Sequence, residues 1–437
     1  MSDEMTYNGT GRRSVLKAVS GAGITLGGLA SVSSVQADSS GDAGRFNVGY
    51  VTEVGEQQIR DAADNVVHAI HSVNTLTVEA ADEGMEPLTE SDHIDFVAPD
   101  QAYYAGSDVD DNNDNSDGQV VPWGVERIGA RKANKASKRG KGANVAVINT
   151  GIDPTHPDLA ANLGDGIAYT RASAGHDTNW ADDNGHGTHV SGTIAALDND
   201  FGVVGVAPKS TLHAVKVLNE DGVGFASDVA MGIIWSAITN RDVANMSLSG
   251  PYSPLVQRAI QFAHKRGVLL ISSAGNDGGA VSYPASAPEV VAVSATTQDD
   301  GFAAFSNYGP EIELAAPGVD ILSTLPSGEY GIGTGTSFAT PHVTGTAALL
   351  MAKGYSATEA RYFMNKTATD IGLPTEQQGA GLVNAAAVAK ITKKSAKKGK
   401  KDAHKKGKGY GKDGKKDAKG KKGTKDGKGK KDKPKTK

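Results

Sequence analysis

The chain has 437 residues, room for two or three domains, with an apolar fraction of 38% and no cysteine. The missing cysteines exclude disulfides and thiolate catalysis. The formal net charge of −5 hides an asymmetry: residues 393–437 hold 22 Lys and 5 Asp, a net +17, so the preceding 392 residues carry −22. Such a division bears on solubility and association, not on fold.

Gly11-Arg12-Arg13-Ser14-Val15-Leu16-Lys17 opens a mild run of Ala, Gly, Val and Leu, and Val35-Gln36-Ala37 is a small-residue cleavage site. This predicts a twin-arginine signal peptide over residues 1–37 and a protein exported folded to the outside of the cell. Residues 38–117 form a separate unit. Alternation predicts strands over 46–51, 75–80 and 94–97, and the spacing of Ile59, Ala62, Ala63, Val66, Val67 and Ile70 predicts a helix over 58–73. The unit reads as small and α+β. It closes on an Asn/Asp-rich stretch, 107–118, expected to be an exposed linker open to cleavage.

Residues 118–392 alternate strand and helix patterns. Strands are expected over 144–150, 212–218, 243–248, 268–273, 290–295 and 312–316, and helices over 186–197, 227–240, 254–266, 337–353 and 357–369. Such alternation implies an α/β domain with a mainly parallel sheet covered on both faces, hence three αβα layers. Reactive groups then belong at the carboxyl ends of the strands. Residues 393–437 are Lys, Gly and Asp with almost nothing apolar, so they are expected to be disordered. This tail could contact polyanions, an anionic surface or the acidic body, or serve as a solvated spacer. In molar salt, where the Debye length is about 3 Å, its charge would be nearly silent. No specific nucleic acid is expected as a partner.

Within the body, Gly335-Thr336-Ser337 precedes an apolar helical run, and Pro341 suits only a first helical turn, so a helix is expected to begin near Ser337. A hydroxyl at the positive end of a helix is well placed for a nucleophile. A plain serine N-cap gives the same pattern. Upstream, the strand Val145-Ala146-Val147-Ile148 ends in Asn149, and Asn184-Gly185-His186-Gly187-Thr188-His189 opens a helix. A pair of histidines three apart could also bind metal, but no third ligand is suggested.

These three blocks resemble, in order, the acid, His and Ser blocks of the subtilisin-like serine proteases, and among them the haloarchaeal halolysin-like enzymes. Gly205-Val206-Ala207-Pro208, Asn245-Met246-Ser247-Leu248, Ala274-Gly275-Asn276-Asp277-Gly278 and Ala316-Pro317-Gly318 extend the likeness over about 119–389. The resemblance implies a secreted serine endopeptidase, monomeric, with residues 45–105 as a ferredoxin-like propeptide that chaperones and inhibits it and is released near Gly118. Ser337 would be the nucleophile, His186 the general base, and Asn276 the side-chain donor to the oxyanion. Gly222, Val223, Gly224, Ser247, Leu248 and Ser249 would flank a peptide substrate, and Ser273, Gly275 and Ser282 would line a first pocket that admits large apolar residues. Phe338 stands where many relatives have Met. A structural Ca²⁺ would be held by the carbonyls of Leu197, Phe201 and Val203, the side chains of Asn199 and Gln119, and bidentate Asp158. A plain Asn/Asp turn has the same composition.

The sequence departs from the family at Asn149, where the family has Asp. An amide carries no charge for the imidazolium, and its NH₂ could hold the wrong tautomer. Activity is therefore expected to be reduced. The alternative is an inactive homologue that binds peptides or its own propeptide.

Overall fold

The computed structural model describes residues 44–106, 109–110, 118–136, 138–170 and 178–392. The expected signal segment, most of the acidic linker and the Lys-rich tail lie outside the described residues.

The body is built on a seven-stranded sheet. Its order from edge to edge is Ile312–Pro317, Val290–Thr296, Leu269–Ser273, Val243–Met246, Asn144–Asn149, Thr211–Lys216 and Ile167–Ala168. Every pairing in it is parallel. The strands are runs of Val, Ile, Leu and Ala without alternation because both faces are covered. One face packs His186–Ala195 and Thr336–Met351, around Val145, Val147, Ile194, Val343 and Leu350. The other packs Ala226–Ile238 and Pro254–Lys265, around Ala146, Ile148, Val215, Ile233 and Ile260. Local chemistry fixes the helix starts. Ser253 caps Val256 N ahead of Pro254, and Ser356 and Glu359 form a reciprocal capping box.

Pro341 lies inside the helix Thr336–Met351, not in its first turn. A proline there cannot donate to the carbonyl four residues back, which is that of Ser337. Ser247 Oγ donates to that carbonyl instead, at 2.8 Å. The helix is thereby tolerated, and Ser337 is tied to the neighbouring strand.

The N-terminal unit is a four-stranded antiparallel sheet in the order Asn65–Ile70, Thr75–Ala80, Gly44–Tyr50 and Ile94–Pro99. The helix Glu53–Ala62 covers it through the buried Ile59. Residues 65–70, expected as helix, are a strand. Asp64 and Asn65 favour a break, and Val66 and Val67 suit a pleated surface better than a helical turn. The unit sits on the two helices of the second face. Arg258 Nη1 donates to the carbonyls of Val73 (2.9 Å) and Asn74 (3.1 Å), and its Nη2 pairs with Asp95. Asp100, paired with Arg45 at 2.8 Å, accepts from Ser227 N (2.9 Å) and Ser227 Oγ (2.7 Å) at the start of Ala226–Ile238.

Candidate active site

Asn149 ends its strand fully buried, and His186 begins a helix behind Gly185, whose φ of +108° lets the chain turn sharply into it. His186 Nδ1 lies 2.8 Å from Asn149 Oδ1. The same oxygen accepts from Thr150 N at 2.8 Å. A backbone N–H can only donate, so the atom facing it is the amide oxygen, and the ring must offer Nδ1–H. Nε2 then holds the lone pair, which is the basic tautomer. The amide thus turns its oxygen to the ring, and not the NH₂ that could have held the wrong tautomer. Asn149 Nδ2 and His186 Nε2 are buried without partners among the described residues.

Burial pushes the His186 imidazole down to about 4, with the charge of Asp182 opposing the shift. The ring tilts over Phe338, 5.3 Å between centroids. Phe338 is fully buried and also meets His189 edge-on at 4.5 Å. His189 Nε2 donates to the Ile321 carbonyl at 2.9 Å, which gives it a structural place.

Ser337 is the second residue of its helix and is buried, its Oγ 3.5 Å from the Ser247 carbonyl. Asn276 Oδ1 accepts from Thr336 N and Thr336 Oγ1, both at 2.8 Å. That fixes the amide so that Nδ2 points outward, where it donates to the Gly106 carbonyl. Gly106 closes over the serine: a Cβ added to it would lie 2.5 Å from Ser337 Oγ. Thr336 stood in plain view beside Ser337, but its hold on Asn276 needs the fold to bring the two together.

The chain leading to Gly106 is an extended strand. Ala102–Ala105 pairs antiparallel with Val223–Phe225 on one side and Leu248–Ser249 on the other. Gly222, Val223, Gly224, Leu248 and Ser249 thus flank this segment of the chain itself. Ser247 turns its side chain to the Ser337 carbonyl. Tyr103 is fully buried between the flanking strands, and its Oη donates to the Pro251 carbonyl at 2.7 Å. Beyond the site, Val109–Asp110 pairs antiparallel with Ile332 and Gly333. Within the described part of this segment, Gly106 is the residue that lies against the serine. Tyr103 and Gly106 were invisible as site residues because the likeness carries no signal for them.

Gly275 has φ +106° and is crowded by Asn307 Nδ2 and Ser282 Oγ, so no side chain fits there. Asn307 Nδ2 donates to Ser282 Oγ at 3.0 Å, and its Oδ1 accepts from Asp277 N and Gly279 N. Ser273, nearly fully buried, ends the strand before this turn. Asn307, which no sequence pattern marked, holds this turn.

Four oxygens converge on the side-chain amide of Gln119: Leu197 O (2.7 Å), Asn199 Oδ1 (3.1 Å), Phe201 O (3.2 Å) and Val203 O (3.3 Å). Asp158, buried beside them, accepts from Asn199 Nδ2 (2.8 Å), Val203 N (3.0 Å) and Tyr330 Oη (2.8 Å). One NH₂ has two protons for four acceptors, whereas a flipped amide would add a fifth oxygen around a cation. All-oxygen donors of this kind fit Ca²⁺.

The chain is 40% identical over 329 residues to an alkaline protease of Alkalihalobacillus alcalophilus, covering 74% of this chain and 82% of that one. It is 44% identical over 276 residues to subtilisin Savinase of Lederbergia lenta, 62% of this chain and all of that one. A thermostable alkaline protease of Halalkalibacterium halodurans is 39% identical over 338 residues, 76% of this chain and 88% of its own. The subtilase family profile matches residues 140–410, and the chain belongs to that family.

Proposed function

We propose that the chain is the precursor of a secreted serine endopeptidase that first cleaves itself between Gly106 and Ser107. The observation that carries this reading is the Gly106 carbonyl, held by Asn276 Nδ2 beside Ser337 Oγ at the end of a strand docked between two body segments. Ser337 Oγ attacks the Gly106 carbonyl carbon and passes its proton to His186 Nε2. Asn276 Nδ2 and the Ser337 backbone N–H receive the oxyanion. His186 returns the proton to the Ser107 nitrogen, the C–N bond breaks, and water then releases the acyl group from Ser337. The free 44–106 unit remains an inhibitor until it leaves, and peptides with an aromatic residue in the Tyr103 place then follow the same track.

The uncharged Asn149 slows each proton transfer because nothing at that position stabilises the imidazolium. Calcium, held by Gln119, Asp158, Leu197, Asn199, Phe201 and Val203, would brace a body without disulfides. Export by the twin-arginine route rests on the Arg12-Arg13 segment, and the relatives, described as alkaline proteases, accord with an extracellular place.

The test is the mass of the purified chain over time. Slow conversion to a species beginning at Ser107, absent in Ser337→Ala, supports the proposal. Equal conversion in Ser337→Ala, or a first cut at another bond, refutes it. Asn149 favours one other reading, an inactive peptide-binding homologue; a precursor that never converts and is never labelled by a fluorophosphonate would establish that instead.

A further inference from the structure

The turn that delivers His186 is held by one carboxylate. Asp182 Oδ1 accepts from Asn184 N (3.1 Å) and Gly185 N (3.0 Å), and Oδ2 accepts from Thr188 N (2.8 Å) and Thr188 Oγ1 (2.6 Å). All four bonds fall on residues within two of His186. The helix that follows runs ten residues, His186–Ala195, and Asp182 lies against its positive end. Two further bonds lock the same turn: Gly187 N donates to Thr150 Oγ1 at 2.9 Å, and Asp153 N to Thr188 Oγ1 at 3.0 Å.

We infer that Asp182 is a positioning residue for His186 that also supplies the fixed negative charge residue 149 lacks. The inference rests on His186 acting as the general base. The bonds that Asp182 accepts hold its carboxyl below the ordinary range against the opposing effect of burial, so it is ionised at working pH. Its charge favours the protonated ring. Two other titratable groups near the histidine, Lys216 and His189, do not serve. Lys216, paired with Asn149 in the strand register, is buried with its ammonium on the carbonyls of Thr150 (2.7 Å) and Leu218 (3.0 Å) and on Asp183 (2.6 Å). Its charge is thus offset by Asp183. His189 is held neutral by burial, down to about 3.

The experiment is a double-mutant cycle on the mature enzyme. Asp182→Asn is made in the parent and in Asn149→Asp, and kcat, KM and the pH dependence of fluorophosphonate labelling are measured. In the parent, Asp182→Asn is expected to lower kcat about tenfold, to leave KM unchanged and to lower the apparent pKa of labelling, one pKa unit being a tenfold change. In Asn149→Asp the loss should shrink to under about threefold, since the carboxylate at 149 then carries the charge. Equal losses in both backgrounds, or an unmoved pKa, would overturn the proposal. Asp182→Glu keeps the charge while displacing the bonds; a labelling pKa lowered in it would overturn the proposal even if Asp182→Asn does not fold. His186→Ala is the control for the underlying reading: labelling unchanged in it would remove the general base and not Asp182 alone.

Discussion

Asn149 Oδ1 stands 2.8 Å from Nδ1 of His186, and the amide nitrogen on its other side is buried without a partner among the described residues. Orientation is intact here and charge is absent. Two unit charges about 4 Å apart at an effective dielectric of about 20 interact by about 4 kcal/mol. Asn149→Asp is therefore expected to raise kcat by about 10³, somewhat below the about 10⁴ ascribed to a triad whose tautomer is also wrong. Hydrolysis of a chromogenic peptide by parent, Asn149→Asp and Ser337→Ala checks this. A variant with intact fold and no gain in rate would break the assignment of Asn149, His186 and Ser337 to one reaction.

Tyr103 is the anchor of the docked strand. It is fully buried, and its hydroxyl finds the Pro251 carbonyl, whereas Gly106 brings no side chain to the pocket by Gly275. Truncating a buried aromatic costs about 3–5 kcal/mol. Peptides ending Ala-Tyr-Tyr-Ala-Gly before the scissile bond should thus exceed those with Ala in the Tyr103 place by about 10²–10⁴ in kcat/KM. In the full chain, Tyr103→Ala should slow conversion of the precursor. Equal kcat/KM for the two peptides would mean that the pocket beside Pro251 does not select substrate.

Much of the body was legible because its strands and helices declare themselves by composition. The continuous apolar strand 144–149 and the capped helix 357–367 fell within two residues of expectation, and the block around His186 marked its own helix start. What escaped was what depends on distant neighbours. Residues 65–70 carry a helical spacing by accident, and only pairing with Thr75–Ala80 makes them a strand. Pro341 reads as a first-turn residue until Ser247 is seen serving the carbonyl it abandons. The tautomer of His186 was unreadable because Thr150 N, an atom common to every residue, decides it.

Buried histidines set the response to acid. Burial pushes His186 and His342 down to about 4 and His189 down to about 3. Burial displaces His156 and His213 in the same direction. In the unfolded chain each takes up a proton near pH 6.5, while the native state refuses it until much lower pH. The native advantage is full above about 6.5 and is lost as the pH falls towards 4, since the unfolded state then binds more protons. The Tm of Ser337→Ala, chosen to prevent self-digestion, should fall steadily between pH 7 and 5. A Tm that holds or rises over that interval would contradict the neutral, buried state of these rings.

Calcium removal is the last test. The carbonyls of Leu197, Phe201 and Val203 and Asn199 Oδ1 point at one spot, and Val120, at the entrance to the body, bridges Val203 across it. Converging oxygen dipoles repel one another unless a positive charge sits between them, and the two amide protons of Gln119 cannot satisfy four acceptors. A cation bound only by the folded state adds RT ln(1 + [L]/Kd), about 2.7 kcal/mol at a hundred times Kd. For a domain of this size that corresponds to about 5–10 °C in Tm. Excess chelator should lower the Tm of Ser337→Ala by that amount, and calcium should restore it. Gln119→Leu removes the side chain at the centre of the cluster and should lower the Tm while blunting the chelator effect. An unchanged melting curve in metal-free protein would mean that the loop 197–203 is a turn held by Gln119 alone.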